Sequence, residues 1–254
     1  MSGRKLIVNA DDFGFTRDVN EGIIEAHQRG VLTATTLMAS GAAFEHAVAL
    51  ARRNPELDVG CHLALVGEPP LAASVAGLIR AIALGRIRIY EELAAQVSRI
   101  LDAGIRPTHI DTHKHTHLVP RVLEAVARIS REFGIPWVRL PFDFAPRGAA
   151  HMLRLWRPHV RRTLLRHGCR VTDHFAGYAL TGRLDTAELV RLIHRLPAGT
   201  TELMCHPGHS TSELRAAPTR LKESRERELL ALTAPETRQA LGEAGVDLAR
   251  YRDL

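Results

Sequence analysis

Short apolar runs alternate with helical patterns along almost the whole chain, and four of those runs end in side chains that ligate metals or move protons. The run at 5–10 leads into Asp11 and Asp12, the run at 59–65 contains His62, the run at 108–112 leads into His113, and the run at 201–205 precedes His206. Strands alternating with helices are the mark of a parallel α/β sheet or barrel. In a (β/α) barrel the C-terminal strand ends share one mouth, so clusters far apart in sequence become neighbours in space. Further runs at 34–39, 137–140 and, more weakly, 170–173 raise the strands to seven, with a poorly marked eighth near the C-terminus. The expected fold is an irregular α/β barrel of seven to eight strands, one domain over residues 1–254.

Helical patterns fill the gaps at 18–29, 44–53, 90–103, 120–133 and 186–196, and most of 219–244 reads as helix. Two segments stand out. The stretch from Leu71 to Ile89 is an apolar, helix-prone insertion, and the stretch between Arg147 and Arg170 carries Arg154, Arg157, Arg161, Arg162 and Arg166 against Leu153, Leu155, Trp156, Val160 and Leu164. A solvated outer helix is the simpler reading of the second, and contact with a membrane surface is the alternative. The net charge of +6 allows nucleic acid as a partner, but aromatic residues are only 5% of the chain and offer no stacking platform for bases, so none is expected. Three cysteines without a CxxC pair, and no charged and apolar leader before Lys5, point to a reducing cytoplasmic protein.

From His109 to His117 every second residue is an imidazole or a carboxylate: His109, Asp111, His113, His115 and His117. In an extended strand all five share one face. They cannot all hold one ion, because the Cα atoms of His113 and His117 would then lie roughly 13 Å apart while metal–nitrogen bonds are about 2.1 Å. His113, nearest the expected strand end, is the ligand, and His115 and His117 are left to support the site or face substrate. One carboxylate and two neutral imidazoles with open positions make a catalytic divalent-metal site, and Asp12, His62 and His113 supply that set. Zn2+ or another transition metal suits such donors. Consecutive side chains of a strand diverge, so only one of the Asp11–Asp12 pair is needed as ligand and the other is free to act as general base.

His206, held in Met204-Cys205-His206-Pro207-Gly208, is the expected general acid. Arg139 ends the fifth strand and either keeps Asp11 ionised or binds substrate. Asp111 and Asp173 are each placed to orient an imidazole. Asp12-Phe13-Gly14 is not the kinase triplet, since it lies near the start of the chain with no Gly-rich loop before it. There is no Walker A loop, GxGxxG, HExxH or GxSxG, which removes support for phosphate handling and serine hydrolysis.

At these residues the chain resembles the YdjC-like carbohydrate deacetylases, the family of the chitooligosaccharide and hopanoid-biosynthesis deacetylases. The resemblance runs nearly the full length through Asn9-Ala10-Asp11-Asp12-Phe13-Gly14, Gly60-Cys61-His62-Leu63, the 108–117 run, Arg139-Leu140-Pro141, Met204-Cys205-His206-Pro207 and Tyr251-Arg252-Asp253. It implies a barrel related to the NodB-type deacetylases, one divalent cation (Mg2+ in some members) on Asp12, His62 and His113, Asp11 as base, and a homodimer. The implied reaction is hydrolysis of the acetyl amide of an N-acetylated amino sugar, either a soluble chitooligosaccharide or an N-acetylglucosaminyl lipid at the inner face of the membrane. Lys114 interrupts the HHH found in chitooligosaccharide deacetylases, and Leu63-Ala64-Leu65 lacks the Thr usual after the His62 motif. Hydrolysis of another amide or an ester is the competing reading, and a non-enzymatic basic surface binder is a third.

Overall fold

The computed structural model describes residues 3–67, 72–146 and 150–254. Its strands are β1 (Arg4–Phe13), β2 (Ala34–Leu37), β3 (Asp58–Leu63), β4 (His109–Thr112), β5 (Trp137–Val138), β6 (His174–Ala176), β7 (Gly199–Cys205) and β8 (Val246–Leu248). The sheet order is β5-β4-β3-β2-β1-β7-β6, and every pairing is parallel. β8 pairs with Arg4–Leu6 of β1, below the point at which β2 takes over at Asn9. The edges come together through isolated bridges, Trp137 to Arg170 and Asp143 to Phe175, so the sheet curls into the expected irregular barrel of seven strands plus a short eighth.

The outer layer consists of α1 (Arg17–Arg29), α2 (Phe44–Arg53), α3 (Val75–Ala83), α4 (Ile89–Asp102), α5 (Pro120–Glu132), α6 (Ala150–Leu153), α7 (Arg157–Arg166), α8 (Thr186–His194), α9 (Ser212–Ala216), α10 (Glu223–Thr233) and α11 (Pro235–Ala244). Local chemistry sets several of their ends. Thr16, Ser74 and Asp185 accept first-turn N–H groups of α1, α3 and α8, Pro120 and Pro235 open α5 and α11, and left-handed Gly245 closes α11. None of the described helices is long and apolar enough to cross a membrane.

Strand alternation sorts the residues of β1 into two environments. Leu6, Val8 and Ala10 join the large apolar core between sheet and helices, whereas Ile7 belongs to a separate cluster with Ala34, Trp137, Ala249 and Tyr251 that plugs the barrel floor. Above this plug the interior turns polar. His109 stacks on Tyr251 with ring centroids 4.0 Å apart and donates from Nε2 to Asn9 Oδ1 at 2.8 Å. Gly60 is required beside it, because a Cβ there would stand 2.6 Å from the His109 ring and carbonyl.

Three sequence expectations change. The His109–His117 run is not one strand, since β4 stops at Thr112 and His113–Leu118 forms a tight turn in which Lys114 and His115 have φ of 53° and 52°. The sixth strand lies at His174–Ala176 and not at 170–173, because residue 170 serves only in the isolated bridge to Trp137. The Arg-rich stretch is broken into α6, a short turn at Arg154–Trp156, and α7, with Val160 and Leu164 buried and Leu155 exposed. Leu71 and Arg147, at the starts of the two unusual segments, lie outside the described residues.

Candidate active site

Asp11 and Asp12 reach the barrel mouth together because β1 ends irregularly. Its register with β2 slips between Ala10 and Phe13, and Asp12 has φ of 69°. The left-handed backbone at a non-glycine residue is costly, and here it swings consecutive carboxylates toward one space. His62 comes from the end of β3, Asp111 from β4, and His113 from the first position after β4.

Three donor atoms converge. Asp12 Oδ1 lies 3.3 Å from His62 Nε2 and 3.2 Å from His113 Nδ1, and the two nitrogens are 3.2 Å apart. Donors bonded to one cation at about 2.1 Å stand roughly 3.0–3.4 Å from one another, so this triangle has the dimensions of a metal face. The surroundings prepare it for a cation. His62 Nδ1 donates to Asp111 Oδ1 at 2.6 Å, which leaves the Nε2 lone pair free for ligation. Thr36 Oγ1 supports the same carboxylate at 3.2 Å. Burial opposes charge on His62, yet Asp111 and Asp12 outweigh it and hold the imidazole well above its ordinary pKa. A site that attracts a proton so strongly is a site of negative potential, and a divalent ion competes for the same place.

Arg139 governs the charge beneath. Its guanidinium is buried, forks onto Asp11 with Nη1 to Oδ2 at 2.8 Å and Nη2 to Oδ1 at 2.7 Å, and also meets Asp111 Oδ2 at 2.5 Å and Glu202 Oε1 at 2.6 Å. Burial alone would raise the Asp11 pKa, but Arg139 outweighs it and keeps the carboxyl well below the usual range. Asn9 Nδ2 donates a further bond to Asp11 Oδ1 at 3.2 Å. Arg139 thus keeps Asp11 ionised and is closed off from substrate.

His206, on the loop after β7, faces Asp11 across 3.9 Å from Nε2 to Oδ2. Burial lowers its pKa to about 4, so the ring rests neutral. His115 turns away from the three donors toward Tyr178 and Phe175, with centroids 5.5 and 6.4 Å away. His117 folds back beneath the turn, where its backbone N–H and its Nδ1 both engage Thr112 Oγ1, at 3.0 and 2.7 Å. Full burial removes it from contact with substrate. Asp173 departs from the expectation altogether. It accepts the Thr200 N–H at 2.9 Å, at the start of β7, and so sits a strand length of about 20 Å from His206 and orients no site imidazole.

The family model for YdjC-like proteins matches residues 5–243. The chain belongs to the YdjC-like family. A carbohydrate deacetylase from Geobacillus stearothermophilus is 37% identical over 99% of this YdjC-like chain and 98% of its own, and a chitooligosaccharide deacetylase from Klebsiella pneumoniae is 34% identical over 99% of both. A crystal structure of a proposed cellobiose-phosphate cleavage protein from Enterococcus faecalis superposes with a TM-score of 0.81 at 28% identity, covering 99% of each chain.

Sequence reading missed three charged residues around this YdjC-like site. Glu202 had one signal, a carboxylate directly before the apolar Leu203-Met204-Cys205 end of its strand. Arg225 and Glu228 had none: in Glu223-Ser224-Arg225-Glu226-Arg227-Glu228 they look like any solvated helix face, yet both are buried. Arg225 Nη2 donates to Asp12 Oδ2 at 2.5 Å, and Glu228 Oε2 accepts the His206 backbone N–H at 2.5 Å.

Proposed function

We propose that this protein is a metal-dependent hydrolase, one domain over its whole length, that removes the acetyl group from an N-acetylated amino sugar and releases acetate. The observation that carries the reading is the triangle of Asp12 Oδ1, His62 Nε2 and His113 Nδ1, set beside an ionised Asp11 and a neutral His206. The names of its full-length relatives, carbohydrate and chitooligosaccharide deacetylases, supply the bond and the substrate class.

Asp12, His62 and His113 would hold one divalent cation, and two imidazoles favour Zn2+ or another transition metal over the Mg2+ that family resemblance suggests. Such an ion supplies Lewis acidity toward the acetyl carbonyl and lowers the pKa of water at the site. Asp11 then takes the proton of the attacking water as the new C–O bond forms. Arg139 keeps Asp11 charged and correctly turned for that task. The amine must leave with a proton, and His206 stands ready to deliver it. Because its ring rests neutral, that proton has to be collected during the cycle, and Asp11, 3.9 Å from Nε2, is the group that hands it over. His115 and Tyr178, at the rim, are the residues we assign to sugar contact.

Acetate release from N-acetyl chitooligosaccharides by protein stripped of metal and reloaded tests the scheme. Wild-type activity should require the ion, and Asp12→Ala and His62→Ala should fall to background. Undiminished turnover by either variant would sink it. A lipid-linked N-acetylglucosaminyl substrate is the second reading. It draws on exposed Met152, Leu155 and Trp156, the last bonded through Nε1 to the Leu118 carbonyl at the end of the His113–Leu118 turn. Comparing turnover of lipid-linked and soluble substrates decides, and preference for the soluble one removes the lipid.

A further inference from the structure

Helix α10 presents two charged side chains inward, one turn apart, to two different parts of the site. Arg225 and Glu228 are each about 1% exposed, although a helix of this composition would be expected to leave such residues in water. Arg225 donates from Nη2 to Asp12 Oδ2, so that oxygen is engaged while Oδ1 faces His62 and His113. Glu228 receives the His206 backbone N–H through Oε2 and the Gly182 N–H through Oε1 at 3.2 Å. The same Oε2 lies 3.9 Å from His206 Nδ1, a buried ring nitrogen with no hydrogen bond of its own.

The loop after β7 is tied to this helix at further points. Gly208 N–H donates to the Arg225 carbonyl at 3.3 Å and Ser210 N–H donates to Glu226 Oε1 at 2.9 Å. Gly208 also leaves room for the guanidinium stem, since a Cβ there would press on Arg225 Cδ at 3.2 Å. A carboxylate turned by one bonded oxygen offers the other at a defined angle, and a carboxylate beside Nδ1 selects the tautomer that leaves Nε2 free.

We infer that Arg225 and Glu228 are a paired positioning device: Arg225 turns Asp12 so that one oxygen faces the metal face, and Glu228 holds His206 with its proton on Nδ1 and Nε2 toward Asp11. The inference rests on the deacetylase reading for its purpose but not for its test. One helix thereby registers the metal ligand against the proton-transferring imidazole. A rigid shift of α10 moves both together.

Zn2+ affinity of the stripped protein, measured calorimetrically, and the tautomer of the His206 ring, read by 15N NMR and assigned with His206→Gln, test the two halves without substrate. Arg225→Met should weaken Zn2+ binding by about 10–100-fold, with Arg225→Lys between it and wild type. Glu228→Gln should leave Zn2+ affinity unchanged and move the His206 proton from Nδ1 toward Nε2. Wild-type Zn2+ affinity in Arg225→Met overturns the clamp on Asp12; if that variant does not fold, wild-type affinity in Arg225→Lys does so instead. A wild-type His206 ring protonated on Nε2, or a ring unmoved by Glu228→Gln, overturns the hold on His206. Absence of acetate release from the wild type would sink the deacetylase reading and leave both of these measurements standing.

Discussion

Arg139 is a single cation facing Asp11, Asp111 and Glu202, all of them buried with it. Removing one member of a buried ion cluster costs more than the cluster contributes, because the remaining charges stay out of water. Arg139→Met should therefore lose about 3–5 kcal/mol of stability in urea denaturation at neutral pH. The deficit should shrink as the pH falls toward 5. Without Arg139 the buried carboxyls have raised pKa values, so the folded variant binds more protons than the unfolded chain and acid favours it. His206 gives the opposite sign. Its folded pKa of about 4 lies below the unfolded value near 6.5, so the unfolded chain takes up the proton first and stability falls as the pH drops through that window. In the metal-free protein His206→Gln should flatten this loss, by up to about 3 kcal/mol, in pH-dependent unfolding curves. Residue types in the motifs announced Asp11, Asp12, His62 and His113, since imidazoles and carboxylates at strand ends have few bland uses. Arg225 and Glu228 were silent, because a charged helical residue reads as solvated until its neighbours are known.

The His113–Leu118 turn shows how far periodicity carries an element. Alternating polar groups predict an extended strand, and nothing in Lys114 or His115 advertises the left-handed backbone that glycine would have signalled. Thr112 closes the turn by binding both the backbone and the ring of His117. The turn separates the three imidazoles: His113 stays beside Asp12 and His62, His115 turns toward Tyr178, and His117 goes beneath. Lys114→Val should cost about 1–2 kcal/mol, because a β-branched residue tolerates positive φ poorly, and should also weaken Zn2+ binding by shifting His113. Lys114→Gly should retain Zn2+ affinity. Equal calorimetric affinity in both variants would mean that the turn does not position His113. Helices such as α2 and α5 were legible almost to the residue, because their apolar stripes, and Pro120 at the start of α5, act locally.

At the scale of the molecule the C-terminus completes the barrel. β8 extends β1 at its lower end, Ala249 N–H bonds to the Leu6 carbonyl at 2.9 Å, and Tyr251 enters the floor between His109 and Trp137. Arg252 Nε holds Asp58 at 2.9 Å, tying the end of the chain to the start of β3. Tyr251→Ala should cost about 3–5 kcal/mol in urea denaturation, since it removes a buried ring packed between His109 and Trp137 and leaves a cavity in the floor. A loss below 1 kcal/mol would mean that the floor is not sealed this way. The order of strands and helices, the gathering of polar groups at the strand ends and the choice of Asp12, His62 and His113 as candidate metal donors followed from the sequence alone, because periodicity, capping and the chemistry of His and Asp act over a few residues. Tertiary structure decided the turn after β4, the burial of Arg139 among three carboxylates, the removal of Asp173 to the far end of β7 and the entry of α10 into the site. Each of these depends on which distant groups share a low-dielectric space, and pattern along the chain carries no measure of that distance.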